Sequence, residues 1–349
     1  MRFVEPGCGG IGDQDQDVLH APPLAARCRI CKRSGVMAKR SMARPDVIIV
    51  TGPTASGKSA LALALAQRRH GTVINADAMQ TYDAFPILTA QPSAAERAVA
   101  PHLLYGVLPV GETLSAARWR ALAETAIERS LGEGRLPVLC GGSGLYLRAL
   151  MQGFAEIPSV PAGLRAQANE DWLRLGPAIF RARLAEHDPE IVARLAPGDR
   201  QRHVRAWEVW QATGRPLSDW QEGQVPPAPW RFALILLAPE RAWLRDRIAA
   251  RFDAMLRAGM LDEVRAVFDR HPDPSWPGLK AHGAPELFRY FRGELTLEEA
   301  RRIAIDHTRQ YAKRQMTWFR HQLTPDLVVE ACSNLALEAA EKFLDKIEV

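Results

Sequence analysis

The chain has 349 residues, 47% hydrophobic and 24% charged, the composition of a globular protein with room for one large domain or two moderate ones. No apolar run approaches a membrane-spanning length, and five scattered cysteines argue against a disulfide framework, so a cytoplasmic protein with no membrane partner is expected. The net charge of +5 suits a polyanionic partner and a solvated basic surface equally well.

Residues 1–44 lack helical or strand periodicity and lack the apolar centre of a secretory signal. They are expected to be a disordered extension or, with Met37 and Met42 close ahead of the first strand, the product of a misassigned start. Cys28 and Cys31 form a CxxC pair with no second pair at zinc-finger spacing, so no metal or redox role is assigned to them.

From Asp46 the pattern becomes regular. Val47–Val50 is a short apolar run bounded by Pro45 and Gly52, which predicts a strand buried on both faces of a parallel sheet. Further strands are predicted at Thr72–Asp77, Leu136–Gly141 and Phe232–Leu237, with helices between them. Between Pro161 and Gln224 the strand runs stop and apolar residues recur at helical intervals, until the Pro-rich stretch Val225–Pro229. The expected organisation is an α/β core over residues 45–160 and 230–330, a helical insertion over 161–229, and a C-terminal helix over 331–349.

Gly52-Pro53-Thr54-Ala55-Ser56-Gly57-Lys58-Ser59 matches GxxxxGK[ST] directly after the first strand and at the start of a helix. In that context the glycines turn backbone N–H groups towards phosphate oxygens and the helix N-terminus adds positive potential. Lys58 supplies a point charge, and the Ser59 hydroxyl can bind Mg²⁺. The loop therefore predicts a P-loop NTPase-like core that binds a di- or triphosphate. The strand Leu136–Cys140 runs into Gly141-Gly142-Ser143-Gly144 with no carboxylate, which disfavours an ATP-driven motor. A small-molecule or nucleotide kinase and a transferase using another diphosphate both remain open.

Asp77 closes the predicted second strand, and strand C-termini in open parallel sheets face the ligand crevice. Its alternative is a helix cap. Ala78-Met79-Gln80-Thr81-Tyr82 follows, with an amide and an aromatic ring suited to a purine. The turn after the third strand brings the Ser143 hydroxyl and backbone donors to the same crevice, or is a simple tight turn.

These motifs carry a resemblance. The chain resembles the tRNA dimethylallyltransferase (tRNA isopentenyltransferase) family in GPTASGKS, in Asn75–Tyr82 and in Gly141–Tyr146. The resemblance continues through Asp199–Ala206 and through Thr308–Gln315 with Trp318-Phe319-Arg320. It implies transfer of a dimethylallyl group from dimethylallyl diphosphate to the exocyclic amine of adenosine 37 in tRNAs reading codons that begin with U. It implies Asp77 as general base, Ser143 where the family usually has Thr, and Arg251 neutralising the leaving diphosphate. It also implies tRNA contacts at Asp77, Ala78, Met79, Gln80, Ser143, Arg165, Gln201, Arg202, His203, Val204 and Arg205. Mg²⁺ at Ser59 is the expected cofactor and a monomer the expected state. The chain departs from the family pattern at Ala78, where Ser is common, and at Leu88 and Gln91, where the stretch IGTAKP has Gly and Lys.

Between Arg301 and Arg320 six basic residues face one acid, Asp306, and Arg302, Arg309, Lys313 and Arg320 share a helical face. The stripe could follow a phosphate backbone, or be a solvated face over Ile303, Ile305 and Met316. Besides a kinase, a nucleotide-gated RNA-binding module without chemistry is the remaining alternative.

Overall fold

A computed structural model describes residues 44–330 and 334–347. Most of the expected N-terminal extension, with its CxxC pair, lies outside the described residues. Among the described residues there are eight strands: β1 Val47–Thr51, β2 Gly71–Asn75, β3 His102–Leu103, β4 Leu136–Gly141, β5 Phe154–Ala155, β6 Gln224–Val225, β7 Phe232–Leu237 and β8 Leu327–Val329. Six of them form one parallel sheet in the order β3-β2-β4-β1-β7-β8.

Why the central strands read as unbroken apolar runs is visible in β1. Ile48 and Val50 enter the core on one sheet face, and Val47 and Ile49 enter the core on the other. Both faces are covered by helices, as a parallel sheet requires. The Lys58–Arg68 helix sends Leu61, Ala62, Leu65 and Ala66 to the first core. The Asn334–Ile347 helix completes that layer with Ala336, Ala340 and Leu344. Trp119, Ala123 and Ile127 of the Ala116–Gly132 helix enter the second core, where the Trp119 indole N–H donates to the Asn75 carbonyl at 3.1 Å.

The strand expected to run to Asp77 ends at Asn75. There the Asn75 side chain closes a turn, accepting from Asp77 N–H at 2.8 Å and donating to the Asp77 carbonyl at 3.0 Å. The crossover residues Ala162–Thr213 form helices with their own small cores, around Leu184, Ile191 and Val209 and around Trp172 and Phe180. A two-stranded antiparallel ribbon, β5 with β6, joins the chain just before this segment to the chain just after it. A third large core gathers the Arg241–Arg257, Met260–Phe268, Ala284–Phe291 and Leu297–Gln322 helices beside the C-terminal strand ends.

Candidate active site

The loop between β1 and the first helix has the backbone shape of a phosphate cradle. Ala55 and Gly57 take positive φ, 62° and 90°, and Ser56 N–H donates to the Pro53 carbonyl at 3.2 Å. Lys58 is buried, its ammonium folded back onto the Pro53 carbonyl at 3.3 Å. Burial lowers its pKa, opposed by attraction to Asp77. A buried ammonium held by one long hydrogen bond gains strongly from an arriving anion.

Asp77 stands across from this loop. Its Oδ1 accepts from Met79 N–H at 3.1 Å, so the cap alternative is partly realised. Oδ2 has no hydrogen bond among the described residues and lies towards Gly142. Arg251, on the Arg241–Arg257 helix, makes no ion pair with any described residue, leaving its donors to a ligand. Burial lowers its pKa, and Asp77 is the opposing attraction. Asp77, Arg251 and the loop residues Thr54 and Ala55 share one cavity of about 700 Å³ of empty space, part of it open to solvent. Thr54, Asp77, Arg251, His282, Thr308 and Tyr311 form its polar lining, and Met79, Leu88, Ile248, Phe252 and Met255 its apolar lining. The rings of His282 and Tyr311 lie 4.5 Å apart. Burial lowers the His282 pKa and raises that of Tyr311, so both are neutral at pH 7.

The sequence motifs do not reveal what ties these parts together. Gln315, buried on the Leu297–Gln322 helix, accepts from Thr54 N–H at 2.9 Å and donates to the Gly142 carbonyl at 3.0 Å. A single amide thus bridges the phosphate loop and the turn after β4. Gly142 is needed for that approach, because the Gln315 amide occupies the space a Cβ would take. Gln315 sits inside a quoted motif, but nothing local marks it out from its polar neighbours.

Residues 80–322 match the family model described as IPP transferase, and residues 45–108 match that described as isopentenyl transferase. A tRNA dimethylallyltransferase of Rhodospirillum centenum is 52% identical over 279 residues, covering 79% of this chain and 89% of the relative. The chain belongs to the tRNA dimethylallyltransferase family. The relative of the same name from Rhodospirillum rubrum is 48% identical over 304 residues, covering 86% and 93%. Among solved structures, the tRNA isopentenylpyrophosphate transferase of Bacillus halodurans superposes with a TM-score of 0.61 at 31% identity, covering 86% of this chain and 96% of that one. A eukaryotic dimethylallyltransferase described as acting on tRNA gives a TM-score of 0.70 at 25% identity, covering 85% and 77%. No described helix is long and apolar enough to cross a membrane.

Within this transferase several expected site residues have partners inside the chain. The Ser143 hydroxyl accepts from Ala78 N–H at 2.9 Å, which ties the turn after β4 to the backbone next to Asp77. Gln80 spends its amide N–H groups on the Thr89 and Ala90 carbonyls, at 2.9 and 2.8 Å. Gln91, in place of the family's Lys, donates to the Tyr82 carbonyl at 2.7 Å. Ser59 faces a second, smaller cavity with Glu96, His102 and Tyr105. The adjoining Cys140 thiol is pushed up to about 11 by burial, so it stays protonated and is no nucleophile at neutral pH.

In the insertion His203 and Val204 are buried, with His203 Nδ1 2.7 Å from the Asp199 carbonyl. Gln201 and Arg202 are exposed, Arg202 pairing with Asp199 at 2.7 Å. Arg165 and Arg205 both pair with the buried Glu208, at 3.3 and 2.6 Å. On the basic helix Arg302, Lys313 and Arg320 are exposed, whereas Arg309 pairs with Asp306 at 3.1 Å and Arg301 with Asp253 at 2.6 Å.

Proposed function

We propose that this transferase moves the dimethylallyl group of dimethylallyl diphosphate onto the exocyclic amine of adenosine 37 in tRNAs reading codons that begin with U. The observation that carries this reading is a carboxylate oxygen with no hydrogen bond among the described residues, Asp77 Oδ2, in one cavity with Arg251 and with Thr54 and Ala55 of the phosphate loop. The named relatives supply the substrate class.

The diphosphate binds the 52–59 loop, where Lys58 leaves the Pro53 carbonyl for a phosphate oxygen and Arg251 donates from the opposite wall. Both charges stabilise the leaving group as the allylic carbon–oxygen bond breaks. The adenine amine is a poor nucleophile, since its lone pair is delocalised into the ring. Asp77 accepts its proton as the carbon–nitrogen bond forms, and diphosphate departs. The target base must first leave the anticodon-loop stack to reach the cavity. The neutral His282–Tyr311 wall offers the flipped base an aromatic surface.

Mg²⁺ would be held by the Ser59 hydroxyl together with phosphate oxygens and water. It would supply further neutralisation of the diphosphate. The protein works as a monomer in the cytoplasm, and exposed Gln201 and Arg202 contact tRNA.

Mass spectrometry of nucleosides tests this reading. Unmodified tRNA incubated with the protein, Mg²⁺ and dimethylallyl diphosphate should yield N6-dimethylallyladenosine. No prenylated nucleoside, or a strict requirement for ATP hydrolysis, would overturn it.

A further inference from the structure

Thr308 and Tyr311 line the cavity, so they mark the face of the Leu297–Gln322 helix that looks into it. Arg302 and Arg320 stand nine positions from Tyr311, and Arg309 and Lys313 two, so at about 100° per residue all four lie about 180–200° round the helix from it. The basic stripe therefore faces away from the cavity. Arg314 is not part of that stripe: three positions from Tyr311, it lies only about 60° to one side. His307, Tyr311, Arg314 and Trp318, spaced four, three and four, form a separate stripe there. Both of its ends are anchored. His307 Nδ1 lies 2.6 Å from a Glu286 carboxylate oxygen, and the Trp318 ring covers Gly144, filling the space a Cβ would take. Between these ends Tyr311 meets the His282 ring, and the Arg314 guanidinium carbon lies 5.8 Å from the Tyr311 ring centroid. Arg314 is exposed and makes no hydrogen bond or ion pair with any described residue, whereas Arg301 and Arg309 pair with Asp253 and Asp306.

We propose that Arg314 binds a backbone phosphate next to the flipped adenosine and so holds that nucleotide at the mouth of the cavity. The inference rests on the prenyl-transfer reading and adds to it a backbone contact for the target nucleotide. With the base against the His282–Tyr311 wall, its ribose and the phosphates on either side stay outside with the rest of the strand. Arg314 stands beside that wall and is open to solvent. Its guanidinium carries a planar fork of donors that matches two phosphate oxygens. Cation–π attraction to the Tyr311 ring restrains the side chain without using those donors, so less freedom is lost when a phosphate arrives. Lys313, the preceding residue, has the same charge but belongs to the face turned away from the cavity.

The test measures binding of an unmodified anticodon stem–loop to the full chain over a range of salt. Arg314→Ala should weaken binding by at least about tenfold and lower the salt slope by about 0.7, the share of one single-strand phosphate. Arg314→Lys keeps the charge without the fork, so it should retain the slope and recover the affinity only in part. Lys313→Ala removes the same charge from the far face and should change affinity by less than about threefold. Affinity for dimethylallyl diphosphate should stay within about threefold in all three variants, since none of these residues holds the donor. An uncharged methylphosphonate at the phosphate on the 5′ or the 3′ side of adenosine 37 then locates the contact. At one of the two it should weaken binding to the wild type by at least about tenfold but to Arg314→Ala by less than about threefold. Should Arg314→Ala misfold, Arg314→Gln takes its place in the same comparison. Equal weakening of wild type and variant by the methylphosphonates, or equal losses in Arg314→Ala and Lys313→Ala, would overturn the proposal. Either result leaves prenyl transfer standing, whereas a wild type that forms no prenylated adenosine refutes that reading instead.

Discussion

Replacing Gln315 tests whether the two halves of the site are held together by one side chain. In Gln315→Met the shape is roughly kept, but Thr54 N–H and the Gly142 carbonyl each lose their partner. An unsatisfied buried polar group costs about 1–3 kcal/mol, so the pair predicts a loss of about 2–6 kcal/mol if neither finds water. That is a large share of the roughly 5–15 kcal/mol that keeps a domain folded. Gln315→Glu should behave differently, since a carboxylate still accepts from Thr54 N–H but repels the Gly142 carbonyl and an incoming diphosphate. Denaturant unfolding measures the first quantity, and single-turnover prenyl transfer under conditions where the variant is folded measures the second. A shift of about 1 Å between phosphate loop and base costs on the order of a hundredfold in rate, which is the expected loss for both variants. Stability within about 0.5 kcal/mol and a rate within about threefold in Gln315→Met would refute the bridging role.

Asp77→Asn should keep the fold, because Asn can still accept from Met79 N–H, yet lower single-turnover chemistry by about a hundredfold to ten-thousandfold; near-normal turnover would reduce Asp77 to a cap. Because burial holds the Lys58 pKa below its ordinary value and a bound phosphate raises it, diphosphate binding should take up protons in alkaline buffer. Affinity should be level below the free-state pKa and fall as pH rises through it; calorimetry in buffers of differing ionisation enthalpy reads the uptake, and Lys58→Arg should abolish it. Arg202→Ala should lower the salt dependence of tRNA binding by about one unit of slope without disturbing the fold, since its pair with Asp199 is exposed. Arg205→Ala is a poorer probe, because it leaves the buried Glu208 with only the longer contact to Arg165.

The phosphate loop, the four longest strands and the helical segment after Pro161 were legible in the sequence because each is set by neighbouring residues. Glycines, a lysine and a preceding apolar run dictate local backbone shape and burial wherever the segment comes to lie. The two-residue strand His102–Leu103 and the three-residue strand Leu327–Val329 were not legible, since so short a run has no readable period. Asp77 lines the cavity although its strand stops two residues earlier than the apolar run predicts, at a turn that the Asn75 side chain makes. Only the tertiary structure decided the sheet order, the inward face of His203, and the partners of Gln315 and Glu263. Thr54 and Gln315 are 261 positions apart, and Ile87 and Glu263 are 176. Which distant amide or carboxylate meets which backbone N–H follows from how the helices pack on the sheet, and no local pattern encodes that.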